Sequence, residues 1–374
     1  MTLAPRSRVL VAMSGGVDSS VAAALLASQG HDVVGVTMKL WGGESDSGCC
    51  SVSDVDDARR VAQQLGIDHH VFNFGDDFEE FVVEPYVADH VAGLTPNPCI
   101  ECNRHLKFDK LLRRADALGF DLVATGHHAR RVECDGGYRI ARGADRAKDQ
   151  SYVLYPVAGA ALARTLFPLG DMTKDEVRSL ALELGLRTAT KPDSQDVCFI
   201  TRASGRGSFL GERIPLTPAR VVDTGGRPVG HVTAVELVTL GQRKGLGLAG
   251  GGAPRYVVDV DRTGPEPTVT VGSAADLLVD HQSVHHWSVT GYAAADGSAD
   301  APPPSRPVGL LPGAVLVQTS AHGTAHEGEV VPDAHHPGDP TRVVVRWQAP
   351  QRRVAPGQSV VVYEGDEVVA AGRA

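Results

Sequence analysis

Long apolar runs are missing from this chain. Nowhere does it carry the uninterrupted stretch of about 18–20 apolar residues that a membrane-spanning helix needs, so no membrane span is expected. The opening segment, Met1 to Arg8, is polar and lacks the apolar core of a secretory leader, so a cytoplasmic protein is expected. Cysteine is also sparse. Six in 374 residues exclude a disulfide scaffold and point instead to a few chemically useful thiols. Net positive charge is absent: 36 Lys and Arg against 45 Asp and Glu give −9, which excludes a protein coated in basic charge for nucleic acid. The balance is uneven, however. From Glu101 to Lys148 there are eleven Lys or Arg against seven Asp or Glu, so a local positive face is expected on an acidic protein.

What is present suits a globular protein. Hydrophobic residues at 42% and charged residues at 22% exclude wholesale disorder, and 374 residues suit two or three domains. The first half alternates apolar runs with helical spacing. Arg8 to Met13, Val33 to Met38, His69 to Phe74 and Leu122 to Thr125 read as strands. Ser19 to Ser28, Asp54 to Leu65 and Phe108 to Leu118 read as helices. That alternation predicts a doubly wound α/β domain, a parallel sheet with helices on both faces. Beyond residue 204 helical periodicity fades. Ser204 to Gly207 reads as a flexible stretch, and short runs bounded by Gly and Pro follow, at Ala219 to Val222, Val229 to Val232, Tyr256 to Val260 and Thr268 to Val271. Ala293 to Pro307 reads as an exposed loop. Ala314 to Thr319, Arg342 to Trp347 and Ser359 to Tyr363 resemble barrel strands. There is no internal repeat.

Two strings carry chemistry. Ser14-Gly15-Gly16-Val17-Asp18-Ser19-Ser20 follows one strand and opens one helix. Its glycines permit tight turns in which successive N–H groups converge on an anion, the helix N-terminus adds partial positive charge, and Ser14 and Ser19 add hydroxyl donors. Asp18 reads either as a helix cap or as a ligand of a magnesium ion bridging phosphates. The bland alternative is an ordinary strand–turn–helix with a polar cap. The whole string resembles the signature of the PP-loop ATP pyrophosphatases, and no Gly-Lys-Ser/Thr follows to make it a Walker A loop. That resemblance implies cleavage of ATP between its α and β phosphates and adenylation of a substrate. The second string runs from Thr95 to Arg104 and holds Cys99 and Cys102. It reads as a rigid loop stiffened by Pro96 and Pro98, and Arg104, His105 and Lys107 stand where they could lower a thiol pKa. Cys198, between Val197 and Phe199, reads on local grounds as either core or a working thiol.

Taken with Thr125 to Arg130, Lys148 to Tyr152, Asp196 to Ile200, Gly241 to Gly247 and Ala355 to Ser359, these strings resemble the tRNA-specific 2-thiouridylase family. The matches run in order from residue 12 to about residue 360. The resemblance implies a PP-loop ATP-binding catalytic domain at 1–203, a small β-rich domain at 204–279 and a C-terminal β-barrel that contacts tRNA at 280–374. It implies ATP at Ala12, Met13, Ser14, Gly15, Gly16, Val17, Asp18 and Ser19, with Met38 and Gly126 at the base and ribose, and magnesium with it. It implies adenylation of the wobble uridine in a tRNA anticodon stem-loop, and sulfur received by Cys198 as a persulfide from a donor protein. Cys102 then releases the sulfur and is left in a Cys102–Cys198 disulfide. Asn97, Pro98 and Cys99 stand as the base-contacting strip, and His127, Lys148, Asp149, Gln150, Gln318, Thr319 and Gln358 as tRNA contacts.

Two departures qualify this. Some members have Asp, a proposed acid/base, where this chain has Cys99. That thiol either replaces it, is spare, or joins Cys102 and Cys198 on an iron–sulfur cluster, the less favoured arrangement because three cysteines fall one short of a full set. Some members also carry an Arg/Tyr-rich stretch near Gln318 to His322, and this chain does not. Lesser signals take bland readings. Gly245 to Gly250 is expected to be a flexible glycine loop rather than a dinucleotide site, and the His69-His70, His285-His286 and His335-His336 pairs lack partners at metal-ligand spacing. Cys49, Cys50 and Cys134 receive no catalytic role. The competing enzyme is another PP-loop ligase acting on a small molecule, which would not need Cys102 or Cys198. A tRNA-binding or sulfur-carrier protein that kept the fold is the non-catalytic alternative.

Overall fold

The computed structural model describes residues 6–41, 52–134, 137–157, 159–193, 197–200, 205–248, 252–290 and 313–374. The Cys49-Cys50 pair and the whole of the expected loop at 293–307 therefore lie outside the described residues. The first half carries β1 (Arg8–Ala12), β2 (Asp32–Lys39), β3 (Asp68–Asn73), β4 (Leu122–Thr125), β5 (Ala129–Cys134), β6 (Gly137–Arg142) and β7 (Thr165–Leu166). Five of these form a parallel sheet in the order β3-β2-β1-β4-β7. The chain leaves β1 for β2 and β3 on one side and comes back to β4 on the other. The carboxyl ends of β1 and β4 thus flank the crevice where such sheets bind ligands.

The two faces of the sheet are covered differently. On one, α1 (Val17–Ser28) and α2 (Val52–Leu65) bury small residues, Ala22 and Ala23 on α1 and Ala58 and Ala62 on α2, which lets both helices lie close to Val9, Val11 and Val33. The helix Lys174–Glu183 completes this layer, started by a Thr173/Glu176 capping box. On the other face Leu10, Val34 and Val36 meet Phe78, Tyr86, Leu106, Leu111, Phe199 and Phe209. The small-residue spacing was visible in the sequence; the aromatic layer was not, because its members come from four separate segments.

Two expectations need correction. The proline-framed string is no loop: a continuous helical segment starts at Pro98 and runs to Ala117. Asn97 caps it by accepting the Cys99 N–H at 3.1 Å, and proline suits the first helical position because its missing N–H has no partner there anyway. Likewise Gly205–Gly211 is a short helix whose Phe209 and Leu210 are buried; Ser204 lies outside the described residues.

The second half is β-rich, as expected. β8 (Ala219–Asp223), β9 (Pro228–Val232), β10 (Tyr256–Asp261) and β11 (Thr268–Gly272) form a sheet in the order β10-β11-β8-β9. The glycine string beside it is packed rather than loose at Gly247, which has φ +62° and where a β-carbon would stand 2.3 Å from the His231 carbonyl oxygen. Then come β12 (Leu278–Val289), β13 (Val315–Gln318), β14 (His326–Pro332), β15 (Val343–Arg352), β16 (Ser359–Glu364) and β17 (Glu367–Arg373). Their order is β12-β15-β14-β13-β16-β17, and β17 pairs again with β12, closing an antiparallel barrel around Val317, Val345, Val360 and Val362.

The barrel is fastened to the first half at two places. The β5–β6 hairpin reaches β17, and Arg130 and Arg146 hold Asp366 at 2.7 and 2.5 Å. At the second place the Pro356 carbonyl accepts the Thr95 N–H at 2.7 Å, and Gln358 donates its side-chain amide to the Thr95 carbonyl. Gly357 has φ +90°, and a β-carbon there would stand 2.9 Å from Leu94 Cβ and from the Thr95 nitrogen.

Gly357→Ala should therefore lower stability by about 1–3 kcal/mol, read as a reduced urea midpoint; an unchanged midpoint would show that the turn yields without cost. Acid should act independently. Burial, with nearby arginines, holds His69 and His90 down at about 4. The unfolded chain takes up those protons near its ordinary value of 6.5, so stability is complete above that pH and is lost as pH falls from 6.5 towards 4. Urea midpoints across that range check it, and a flat profile would contradict it.

Candidate active site

The Ser14–Ser20 string turns at the carboxyl end of β1 and enters α1. Gly15 has φ +72° and packs so tightly on α2 that a β-carbon would lie 2.2 Å from the Asp54 carbonyl oxygen. Ser19 Oγ accepts the Ser14 N–H at 3.1 Å and donates to the Gly16 carbonyl at 3.2 Å, closing the loop. Gly16 stands at the N-cap without a capping side chain. The first-turn N–H groups of α1 thus have no side-chain acceptor at the cap, the arrangement that draws an anion. Gly126, just past β4, presses on this turn, where a β-carbon would lie 2.6 Å from the Ser19 nitrogen.

An ionic chain runs beside the loop. Lys174, 7% exposed, holds both oxygens of Asp18 at 2.6 and 2.7 Å and also reaches Asp193 at 2.9 Å. Asp193 further accepts from Lys148 at 2.8 Å and Arg178 at 2.7 Å. Burial opposes its charge, but Lys148 and Lys174 outweigh burial and hold the carboxyl at about 2. Asp18 is governed the same way: burial opposes ionisation, and the bonds to His128 (3.3 Å) and Lys174 win, keeping it below the ordinary carboxylate range. Lys191 braces the loop from behind through the Gly15 carbonyl (3.0 Å), Asp54 (2.6 Å) and Asp57 (2.7 Å). Sequence reasoning gave no role to Lys174, Lys191, Asp193 or His128, although His128 lies within the Thr125–Arg130 string. Each acquires its meaning from partners far along the chain.

Both expected cysteines lie on the opposite face of the sheet. Cys102, 6% exposed, belongs to one apolar cluster with Met38, Leu40 and Phe199, and Cys198 and Ala12 pack against that cluster. Ala12, Met38, Cys102 and Cys198 thus share one face of the sheet, whereas Met13 and Val17 sit in the cluster behind it. Cys102 opens a π-helical stretch to Lys110, in which the Leu111 N–H reaches the Leu106 carbonyl. Such widened turns are frequent at functional sites, and a second one lies at Glu79–Val83. Phe199 anchors the chain beside Cys198, with ring centroids 5.6 Å from Phe78, 5.4 Å from Tyr86 and 5.0 Å from Phe209. Cys99, one turn before Cys102, is exposed. Arg104 and His105 turn to Glu101, at 3.2 and 3.4 Å. Among the described residues no three His, Cys, Asp or Glu side chains gather to hold a metal ion.

The other expected contacts are spread out and largely engaged. Asn97 spends its oxygen on the Cys99 N–H, and Pro98 is buried. His127 is buried beside Phe108 and Phe167, bonded to Thr125 at 2.7 Å, and held neutral by that burial. Asp149 accepts from Gly143 and Ser151, and Gln150 accepts the His128 N–H at 2.9 Å. On the barrel, Gln318 is buried against Arg142 and the Ser320 carbonyl, while Thr319 beside it is half-buried. Gln358 fastens Thr95, at the head of the Asn97–Cys102 strip. Within the segment of excess positive charge, Lys110 pairs with Asp77 and Arg113 with Asp109, both at 2.6 Å.

These features define a PP-loop nucleotide-binding α/β domain extended by a small β domain and a β-barrel. Family models described as a tRNA methyl transferase HUP domain, a tRNA methyl transferase PRC-barrel domain and an aminomethyltransferase β-barrel domain match residues 7–202, 207–273 and 316–373. A tRNA-specific 2-thiouridylase of Mycolicibacterium smegmatis is 45% identical, covering 97% of this chain and 98% of its own. One of Roseiflexus castenholzii is 41% identical, covering 98% and 99%. The family descriptions speak of methyl transfer, but the end-to-end relatives are thiouridylases, and the chain belongs to the tRNA-specific 2-thiouridylase family. Among solved structures, the U34-tRNA thiolase NcsA from Methanococcus maripaludis with its [4Fe-4S] cluster overlaps 56% of this chain and 65% of its own at 20% identity. Its TM-score is 0.34, too loose to bear on the chemistry.

Gly126→Ala should push Ser19 and the first turn of α1 out of place. We expect KM for ATP to rise about tenfold or more with KM for tRNA unchanged, read by steady-state kinetics; an unchanged KM for ATP would contradict the role given to this contact.

Proposed function

We infer that this protein is a tRNA 2-thiouridylase. It uses ATP to activate the C2 carbonyl of a wobble uridine and replaces that oxygen with sulfur carried as a cysteine persulfide. The observation that carries this reading is that two cysteines distant in sequence, Cys102 and Cys198, belong to the same face of the sheet as Ala12 and Met38, at the ends of the strands β1 and β2. A small-molecule ligase has no use for that pair.

In this reading the uncapped N-terminus of α1, with the Ser14 and Ser19 hydroxyls, receives the ATP phosphates. Magnesium would be held by those phosphates and would neutralise their charge, since Lys174 and His128 already occupy the Asp18 carboxylate. Uridine O2 attacks the α-phosphorus and pyrophosphate leaves. The terminal sulfur of the Cys198 persulfide attacks C2, and AMP leaves with the C2–O bond pair. The Cys102 thiolate then attacks Cys198 Sγ, and the S–S bond breaks toward the base as the C2 thione. The resulting Cys102–Cys198 disulfide returns to two thiols by taking two electrons from an external thiol reductant, as a cytoplasmic setting supplies. The low exposure of Cys102 keeps water from the same sulfur chemistry, and the uridine must leave its stack to reach it. Asn97, Pro98 and Cys99 line the approach, Gln358 holds Thr95 at its head, and Lys148 and Thr319 are the remaining tRNA contacts of this reading. His127 and Gln318 act by positioning their neighbours.

The test is incubation with ATP, magnesium, a persulfide donor and unmodified tRNA, followed by nucleoside mass spectrometry. The parent should form 2-thiouridine, AMP and pyrophosphate. Cys102→Ser and Cys198→Ser should each lower product at least about a hundredfold while ATP still binds. Undiminished product from either variant would remove the two-cysteine relay. No product from the parent, in material that binds ATP, would favour a small-molecule ligase.

A further inference from the structure

One peptide plane of the phosphate loop is held from outside the loop. Gly15 and Gly16 flank it, so neither side carries a β-carbon and the plane can turn over at little steric cost. The next peptide is held from within, because the Gly16 carbonyl accepts from Ser20 Oγ at 2.8 Å and from Ser19 Oγ at 3.2 Å. The Gly15 carbonyl accepts instead from Lys191 Nζ at 3.0 Å, from a residue 176 positions further along the chain. An ammonium group has three donors. Lys191 gives the other two to Asp54 at 2.6 Å and Asp57 at 2.7 Å, both near the start of α2. Those carboxylates outweigh the burial that opposes its charge and raise its pKa, so the ammonium is charged at neutral pH. Arg187 also meets Asp57, at 2.9 Å, which balances two carboxylates with two cations.

We propose that Lys191 is a positioning residue for the ATP phosphates: by holding the Gly15 carbonyl towards α2, it aims the Gly16 N–H into the phosphate site. This rests on the reading that ATP binds at Ser14–Ser19. In a trans peptide the C=O and the N–H point in opposite directions. The Gly15–Gly16 peptide is trans and its carbonyl faces Lys191 and the carboxylates of α2, so its N–H faces away from them. Among the described residues that N–H meets no acceptor. It therefore adds a donor to those of the first turn of α1. Turned over, the same peptide would set a carbonyl oxygen where a phosphate needs a proton donor, and attraction would become repulsion. Lys191 itself does not touch phosphate, since its three donors are engaged. It differs in this from the lysine of a Walker A loop, which reaches the phosphates directly.

The experiment measures binding of pyrophosphate, and of α,β-methylene-ATP with magnesium, to the full chain by calorimetry. Lys191→Met should weaken both about ten- to a hundredfold, the worth of one charge-assisted hydrogen bond, with tRNA affinity unchanged. Removing the lysine also makes the local field more negative. Lys191→Met combined with Asp57→Asn restores the balance, because Arg187 and Asp54 remain. If the peptide's direction is what matters, the double variant should bind as weakly as the single one. Parental affinity in Lys191→Met, or its recovery in the double variant, overturns the proposal. Should neither variant fold, NMR of the parent labelled at glycine decides. The Gly16 amide proton should move downfield on saturation with pyrophosphate, and an unmoved signal overturns the proposal. A parent that binds neither ligand sinks the ATP reading and this proposal with it, whereas a parent that binds both and variants that match it sink the proposal alone.

Discussion

A buried ammonium must be matched by carboxylates, and Lys174 is matched by two. Asp18 comes from the first turn of α1 and Asp193 from the segment that leads to Cys198. Removing one partner of a fully buried pair leaves a charge uncompensated at a cost of about 3–5 kcal/mol; the partial exposure of Asp18 and Asp193 reduces that cost here. The pairing nevertheless fixes three pieces of chain at one point. It orients the anion-drawing turn, it sets the start of the helix Lys174–Glu183, and it holds Asp193 in place.

The sheet divides the chemistry between its faces. Small residues on α1 and α2 let those helices sit close, and the resulting tightness shapes the phosphate loop, since Gly15 and Gly126 are squeezed between backbone atoms. The opposite face is lined with aromatic rings, which hold Phe199 and give Cys102 a dry surrounding. Phosphate binding needs dipoles and cations, and the cysteines sit against the apolar cover instead. A parallel sheet with two different covers keeps the two environments apart. The barrel enters this arrangement through Thr95, gripped by Pro356 and Gln358 just ahead of the strip that carries Cys99 and Cys102.

Much of this was legible in the sequence, for local reasons. The glycine and serine string reads as a phosphate loop because its geometry is encoded in consecutive residues. The parallel sheet follows from alternating apolar periods, and β4 was delimited at Leu122 and Thr125 because turn residues bound it. The string around Cys99 and Cys102 was misread as a loop, since two prolines suggest an irregular chain until one of them is seen at a helix start behind an Asn cap. β12, β14 and β17 were missed because barrel strands carry short, mixed patterns that only cross-strand pairing completes.

By itself, the sequence determined which chemical groups are present and the local turns that present them: the loop of Ser14 to Ser19, the thiols, the strand and helix periods. Tertiary structure alone decided which groups meet. It placed Cys102 and Cys198 in one cluster, turned Gln318 and Gln358 inward to brace their neighbours, and closed Lys174 on Asp18 and Asp193. The reason is physical. Periodicity and turn chemistry act over a few residues, whereas burial and charge pairing are settled between segments far apart in the chain, by which side chains the packed sheet forces out of water together.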